Sequence, residues 1–375
     1  MEEIISFPEE NSSINKTKVI KEKILFFSNI KCIEKIKYNN KEYYSVGISD
    51  EGSKSVIEIY DYYNFELIGS TELDYQKIEY ITQIFSHNLL VSGTNLRIFT
   101  FYLDNNIFRI ILIQQIGIPF HTKTYKYCSK FGKPFIFDIN LYRENGDVPV
   151  KEDILIVSTI SGIYLYSKKA KNGKIDNAQF NHKDYLDDWN DNPFIYKDQI
   201  FDESNYDAIQ VNFEYIAIIN TKGCVCLYCM ATKEIVTIFE INNSTEEYYI
   251  SMLNKDILCV GGYDTLSLIS IKDFEIIHVH VIKPQLLITG ICIINEKNIL
   301  IAVNNDNEKQ LIHYKYNFEK DILSKKSNHN ITQISSELIT NKKGNLKMLS
   351  VDKNHFIIIV GEHAIQLREI NNSNF

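Results

Sequence analysis

Residues 256–282 read DILCVGGYDTLSLISIKDFEIIHVHVI: an apolar run, a Gly-Gly break, an alternating run, a Lys-Asp break and a second alternating run. The same phrase recurs at 43–73, 89–117, 153–180, 215–241 and 298–326, and in shortened form at 355–375. In each copy an apolar run (ILIVS, YIAII, ILCVG, ILIAV, FIIIV) leads through turn-forming residues into an alternating run (IEIYD, LRIFT, IYLYS, VCLYC, LSLIS, IHYKY, IQLRE). A second turn then opens an outer segment such as ELIGS, FRIIL, EIVTI or EIIHV. Continuous apolar runs of this length describe strands covered on both faces. Alternation describes strands with one face nearer water. The punctuation falls where hairpin reversals need it.

A further short β-like segment precedes each apolar run: CIEKIKY (32–38), YITQIF (80–85), FIFDINLY (135–142), DAIQVN (207–212), YYISML (248–253), LITGICII (287–294) and LKMLSV (346–351). Six units therefore hold four strands and the last holds three. The unpaired segment KVIKEKILFF (18–27) precedes the first unit and supplies the missing outer strand of the seventh. Stitching the last sheet from both chain ends removes the open edge that would template aggregation. The expected fold is all-β: a seven-bladed β-propeller of four-stranded antiparallel blades, spanning 18–375 behind an N-terminal tail at 1–17.

At this level of pattern the chain resembles the WD40-like propellers, whose repeats run about 40 residues or more. The segment IEIYDYYNFELI (57–68) is the nearest match, with Tyr60-Asp61 where the family has Trp-Asp, and LYCMATKEIVTIF (227–239) shares the layout without the dipeptide. No unit keeps the Gly-His and Trp-Asp pair, so the family's polar tetrad is absent or replaced. The resemblance implies a rigid scaffold that joins multi-protein complexes.

Composition supports a packed β domain and narrows the partners. Hydrophobic residues are 45% of the 375, with 24 Tyr and 21 Phe, enough for a full core and rich in strand formers. The net charge is −8, and no strongly basic stretch marks a nucleic-acid or anionic-membrane surface. The opening MEEIISFPEEN lacks the apolar segment of a secretory leader, and LLITGICII is far too short to span a bilayer. Seven cysteines show no disulfide framework, and the sequons at Asn11, Asn15 and Asn330 are what an Asn-rich chain contains by chance. The expected compartment is cytoplasmic or cytoskeletal.

Two stretches interrupt the repeat. Residues 118–133 (IPFHTKTYKYCSKFGK) are mildly basic and aromatic. The second lies in an acidic insertion at 181–207, where DYLDDWNDNPFIYKDQIFDESNYD (184–207) carries eight acids against Lys197, −7 of the total −8. It also holds the single tryptophan, Trp189. Three readings stand: a solvated loop, a calcium site without the spacing or glycine of an EF-hand, or a docking segment for a protein with a basic surface. The docking reading singles out Asp184, Asp187, Asp188, Trp189 and Asp191 as partner-binding residues.

Other chemistry is thinly represented. Cys226 and Cys229 form a C-x-x-C, but on a strand Cys224 and Cys226 share one face while Cys229 takes the other, so the reading is core cysteines without a metal. His278 and His280 share a face and could begin a metal site, with no third ligand indicated. No nucleophile elbow or P-loop is present, and Gly261-Gly262 reads as a turn. Arg143 beside Glu144 makes a poor phosphate clamp. Asp138 and Gln210 are the inner-strand polar residues that stand out. The expectation is a non-catalytic protein–protein interaction scaffold with no cofactor. The alternative is a ligand-binding or enzymatic propeller with a site in the central channel.

Overall fold

A computed structural model describes residues 17–24, 29–49, 54–73, 77–93, 96–116, 133–137, 154–159, 162–168, 194–201, 205–220, 222–241, 248–282, 286–304, 309–320, 327–340, 346–360 and 364–370. Among these residues the regular structure is all β. After β1 (Lys18–Ile24), the first sheet holds β2 (Ile30–Tyr38), β3 (Lys41–Ile48), β4 (Ser55–Asp61) and β5 (Leu67–Leu73). The second holds β6 (Ile78–Phe85), β7 (Asn88–Gly93), β8 (Leu96–Asp104) and β9 (Ile107–Ile116). The third holds β10 (Phe135–Phe137), β11 (Ile154–Thr159), β12 (Gly162–Lys168) and β13 (Phe194–Phe201). The fourth holds β14 (Asn205–Gln210), β15 (Tyr215–Asn220), β16 (Cys224–Cys229) and β17 (Glu234–Glu240). The fifth holds β18 (Tyr248–Asn254), β19 (Ile257–Gly262), β20 (Thr265–Ser270) and β21 (Glu275–Val281). The sixth holds β22 (Leu287–Asn295), β23 (Asn298–Asn304), β24 (Lys309–Lys320) and β25 (Ser327–Thr340). The seventh is β26 (Lys347–Ser350), β27 (His355–Val360) and β28 (Ala364–Glu369), with β1 outermost. Seven four-stranded antiparallel sheets in this succession are the blades of a β-propeller.

The second strand of each blade behaves as its apolar run demands. β7 and β19 are buried end to end, and β23 is buried in all but its last residue. The third strands depart from expectation in part. β4 alternates, but β16 and β20 are buried from their second residue onward. Small residues take off-beat positions there rather than solvent-facing ones: Ser267 lies between Leu266 and Leu268, Cys226 between Val225 and Leu227, and both are buried. A small side chain there lets the strand pack on both faces.

Two corrections concern outer strands. The third blade's outer strand lies inside the acidic stretch, because β12 pairs with Phe194–Phe201 (Leu165 opposite Asp198). The sixth blade's outer strand begins after the repeat boundary read at 326: β25 pairs with β24 from Lys309↔Thr340 to Lys320↔Ser327. Both strands are polar at many positions, so their apolar pattern is faint.

The described chain divides into two compact units: Met1–Ile30 with Ala217–Tyr228 and Ile235–Phe375, and Lys31–Ile216 with Cys229–Glu234. In the second unit, the first and second blades share a core of Ile57, Ile59, Ile81, Leu89, Phe99 and Phe108. Leu90, Ile98, Leu155 and Tyr164 join the second blade to the third. In the first unit, Leu266, Leu268, Ile301, Ile312 and Tyr314 join blades five and six, and Leu300, Leu311, Phe356 and Ile358 join six and seven. Each fully buried aliphatic side chain contributes about 1.5–3 kcal/mol.

Within the first unit the two chain ends meet. β1 pairs antiparallel with β28, from Lys18↔Glu369 to Ile24↔Ala364, with an irregularity between Val19 and Lys21. A polar network fixes the register. Arg368 is 5% exposed; its Nη1 donates to Glu337 Oε1 at 2.5 Å and to Thr17 Oγ1 at 3.0 Å, and its Nε donates to Gln366 Oε1 at 2.8 Å. Thr17 Oγ1 donates to Glu337 Oε2 at 2.6 Å, and Gln366 Nε2 donates to Glu22 Oε1 at 2.6 Å. One buried guanidinium thus holds the N-terminal strand, the C-terminal strand and β25. Breaking it strands Glu337 without its cation, so Arg368→Ala is expected to lower stability by about 3 kcal/mol. Urea unfolding should show Arg368→Ala and the double variant with Glu337→Gln far less than additive; additive losses would mean the two side chains act independently.

Candidate interaction surface

The most solvent-exposed large apolar side chain among the described residues is Tyr63, at 81%. It sits in the turn from β4 to β5, and the local sequence explains why that turn is rigid. Asp61 Oδ1 accepts the N–H groups of Tyr63 at 2.8 Å and Asn64 at 3.0 Å. Asn64 Oδ1 accepts Glu66 N–H at 3.1 Å. Short carboxylate and amide side chains satisfy turn amides in this way. Phe65 closes the turn at φ 56°, in the left-handed region that a bulky residue avoids. Its ring is buried and stacks on Tyr44, with centroids 5.5 Å apart, and that packing offsets the backbone cost. The turns before β17 and β21 end the same way, with Lys233 at 62° and Phe274 at 54°.

Beneath Tyr63 the aromatic rings are layered. Tyr62 meets it edge to face at 5.0 Å and stacks on buried Tyr44 at 5.1 Å. Lys35 Nζ lies 5.2 Å from the Tyr62 ring centroid and pairs with Glu42 at 2.9 Å. The neighbouring hairpin continues the surface. At Gly69 an added Cβ would lie 2.5 Å from the Phe108 carbonyl oxygen, so the β5 backbone lies close against the β9 backbone there. Leu67, two residues before Gly69, is 49% exposed, and Ile107, next to Phe108, is 51% exposed. Phe108 itself is buried, with Tyr38 and Tyr43 packed edge-on at 5.3 and 4.9 Å. Tyr63 is thus an exposed ring on a turn whose amides are satisfied internally, above stacked and edge-on aromatic neighbours.

The residues singled out from the sequence, Asp184, Asp187, Asp188, Trp189 and Asp191, lie outside the described residues. Their place in the chain is between β12 and β13, which makes that stretch the third-to-fourth-strand connection of its blade. The Tyr62-Tyr63 turn is the same connection in the first blade. Asp138, Arg143 and Glu144 also lie outside the described residues. Gln210 turns to its own loop, with Nε2 donating to Asn212 O at 2.9 Å.

Sequence reasoning missed a polar group on the inner strands of the second unit. Glu34 of β2 pairs with Lys133, just before β10, at 2.8 Å. The Lys133 backbone N–H also donates to Asp207 of β14, whose Oδ1 accepts Ala208 N–H at 2.9 Å. Burial pushes the Asp207 carboxyl up to about 7, against the pull of these N–H groups and the Lys133 charge. The three residues are 74 to 173 positions apart in the chain, so no local motif marks them.

The cysteines occupy β16 as expected, and Cys32, Cys224, Cys226, Cys229, Cys259 and Cys292 are all free. Burial works to raise the Cys229 thiol, but the Thr232 hydroxyl and the N–H groups of Thr232 and Ala231 outweigh it and hold the pKa below its ordinary value. Burial alone pushes Cys292 up to about 12 and Cys259 higher still. Among the described residues, no three His, Cys, Asp or Glu side chains converge on a metal-binding geometry.

No family profile matches the chain, and no curated protein matches it. Solved structures do: 1246 chains match it. One of them, from "Crystal Structure of Mitotic Checkpoint Complex", aligns over 98% of this chain and 97% of its own with a TM-score of 0.59 and 8% identity. At that identity the likeness establishes the fold.

Two measurements follow from the ionisable groups. Because the folded Asp207 pKa lies above its ordinary 3.8, the folded state holds the proton more tightly, and stability declines as pH rises from about 4 through about 7. Asp207→Asn keeps an acceptor and removes the charge, so its melting temperature should exceed the wild type's at pH 8 and converge with it near pH 4. Alkylation followed by mass spectrometry on folded protein should label Cys229 well ahead of Cys259 and Cys292, since the thiolate is the reactive form; simultaneous labelling would contradict the turn's effect on the sulfur.

Proposed function

We propose that this protein is a non-catalytic scaffold, a propeller of the WD40-like class with degenerate repeats, that docks other proteins through connections between third and fourth strands. The observation that carries this reading is Tyr63, 81% exposed on a turn whose amides are satisfied internally. Such a side chain loses little freedom on binding and brings a large contact area. The acidic stretch holding Asp184, Asp187, Asp188, Trp189 and Asp191 occupies the corresponding connection two blades on. Its charge suits a partner with a basic surface. The propeller's structural neighbour from a mitotic checkpoint complex supports a role in assemblies, and the free cysteines suit a cytoplasmic or cytoskeletal setting.

A second reading has one observation in its favour. Glu34, Lys133 and Asp207 gather titratable groups from two inner strands and the approach to a third, as a ligand site on that side would require.

Affinity purification of the tagged chain from its native cell, compared with Tyr63→Ala and with Asp184, Asp187, Asp188 and Asp191 all changed to Asn, separates the possibilities. Tyr63→Ala should weaken at least one partner by roughly 30-fold, the scale of an interface anchor, without lowering the melting temperature. Retention of every partner by both variants would remove the docking reading, and partner loss in Glu34→Gln or Asp207→Asn instead would favour the inner-strand site.

A further inference from the structure

His278 and His280 lie on β21, the outermost strand of the fifth blade. Their backbone partners are Leu268 and Leu266, two residues of the core shared with the sixth blade. Both imidazoles therefore face that seam. The two rings stack at a centroid distance of 6.2 Å, and His280 meets the ring of Tyr314 on β24 at 4.9 Å and 72°. The Nε2 atom of His278 is buried and has no hydrogen-bond partner.

Among the described residues, no charged group is a backbone partner or ring contact of either histidine; Asp264 precedes β20, beyond Thr265 and Leu266. β20 contributes Thr265, Leu266, Ser267, Leu268, Ile269 and Ser270, none of them ionisable in this range. β24 presents Tyr314 and Tyr316, both pushed up to about 12 by burial and so neutral. On β25 the partners of Ile312, Tyr314 and Tyr316 are Ser336, Gln333 and Ile331. Glu337 pairs with Leu311, on the opposite face, and is engaged by Arg368. Glu275 is exposed at the start of β21, and Lys272 and Asp273 lie in the turn before it, where Ser270 Oγ donates to Asp273 Oδ2 at 2.7 Å.

We propose that this seam is a pH-sensitive hinge: acidification charges His278 and His280 against each other and against an apolar wall, and releases β21 from the sixth blade. A proton added at His278 Nε2 becomes a buried donor with no acceptor, which costs free energy in a way a bare lone pair does not. A second imidazolium one ring-stack away adds like-charge repulsion in a desolvated setting. Both pKa values lie below the ordinary 6.5 in consequence, by burial in each case and by the neighbouring His278 charge as well for His280. The folded values being depressed, the stabilisation is complete above pH 6.5 and is lost as pH falls from there through the folded pKa values. Loss of β21 would uncover the edge of β20, a ready template for an added strand.

Two readouts on the full chain test this. Imidazole NMR should show His278 and His280 titrating below 6.5; titration at or above that value overturns the proposal. Hydrogen exchange, corrected for intrinsic rates, should show amides of Glu275–Val281 opening roughly tenfold more at pH 5.5 than at 7.5, the scale that one imidazole charging only in the open state reaches a pH unit below the ordinary 6.5, with β19 amides unchanged. In His278→Gln/His280→Gln that difference should vanish, while His313→Asn, buried on the other face of β24, should retain it. Equal opening at both pH values, or an undiminished difference in the double variant, overturns it. Should the double variant fail to fold, each single Gln variant is expected to halve the logarithm of the change, and the NMR titration of the wild type stands independently.

Discussion

The strands in the middle of each blade are buried on both faces, and everything else in the molecule follows from supplying those faces with neighbours. A sheet such as β18–β21 cannot satisfy ILCVGG alone, because one side of it would face water. In the first unit, Leu266 and Leu268 find Ile312 and Tyr314, and Leu311 finds Phe356 and Ile358. In the second, Ile57 and Ile59 find Leu89 and Phe99. Each blade is thus a repeat that is unstable by itself and stable beside its neighbours. The same constraint accounts for Ser267 and Cys226, which are small because the strand is covered on that side too.

A stack of interdependent sheets leaves its terminal blade exposed, and the chain resolves this by sharing that blade between its two ends. β1 brings backbone partners, but none of its side chains from Lys18 to Lys23 is buried, so its own pattern fixes the register only weakly. Arg368 removes that freedom. Its three hydrogen bonds reach Thr17, Gln366 and Glu337, which belong to three different strands or their approaches, so a slipped register would leave a buried charge unpaired. The closure is an apolar edge pairing made specific by one polar network.

With the middle strands committed to packing, function is left to the turns and outer strands. The turns that join third to fourth strands carry most of the variation: a rigid aromatic corner at Tyr62-Tyr63, a sulfur-cradling turn at Cys229–Lys233, and the long acidic stretch between β12 and β13. The outer strands vary as well, from the exposed Ile235, Val236 and Ile238 of β17 to the paired histidines of β21. The proposed scaffold would need a fixed frame and several distinct patches, and this division of labour provides both.

The local sequence by itself determined the order of the first three strands in each blade, the number of blades and the partner of the N-terminal strand, because periodicity distinguishes a strand buried on two faces from one buried on one. The asparagine pairs at 39–40 and 105–106 adopt positive φ angles in the fold, which such residues tolerate. The local sequence did not reveal outer strands β13 and β25, whose composition is too polar to show a period. Tertiary structure alone decided which distant side chains share a place: Glu34 with Lys133 and Asp207, Arg368 with Thr17 and Glu337, His280 with Tyr314. Each of those groupings joins different strands, and the residues in it are ordinary until the fold removes water from around them.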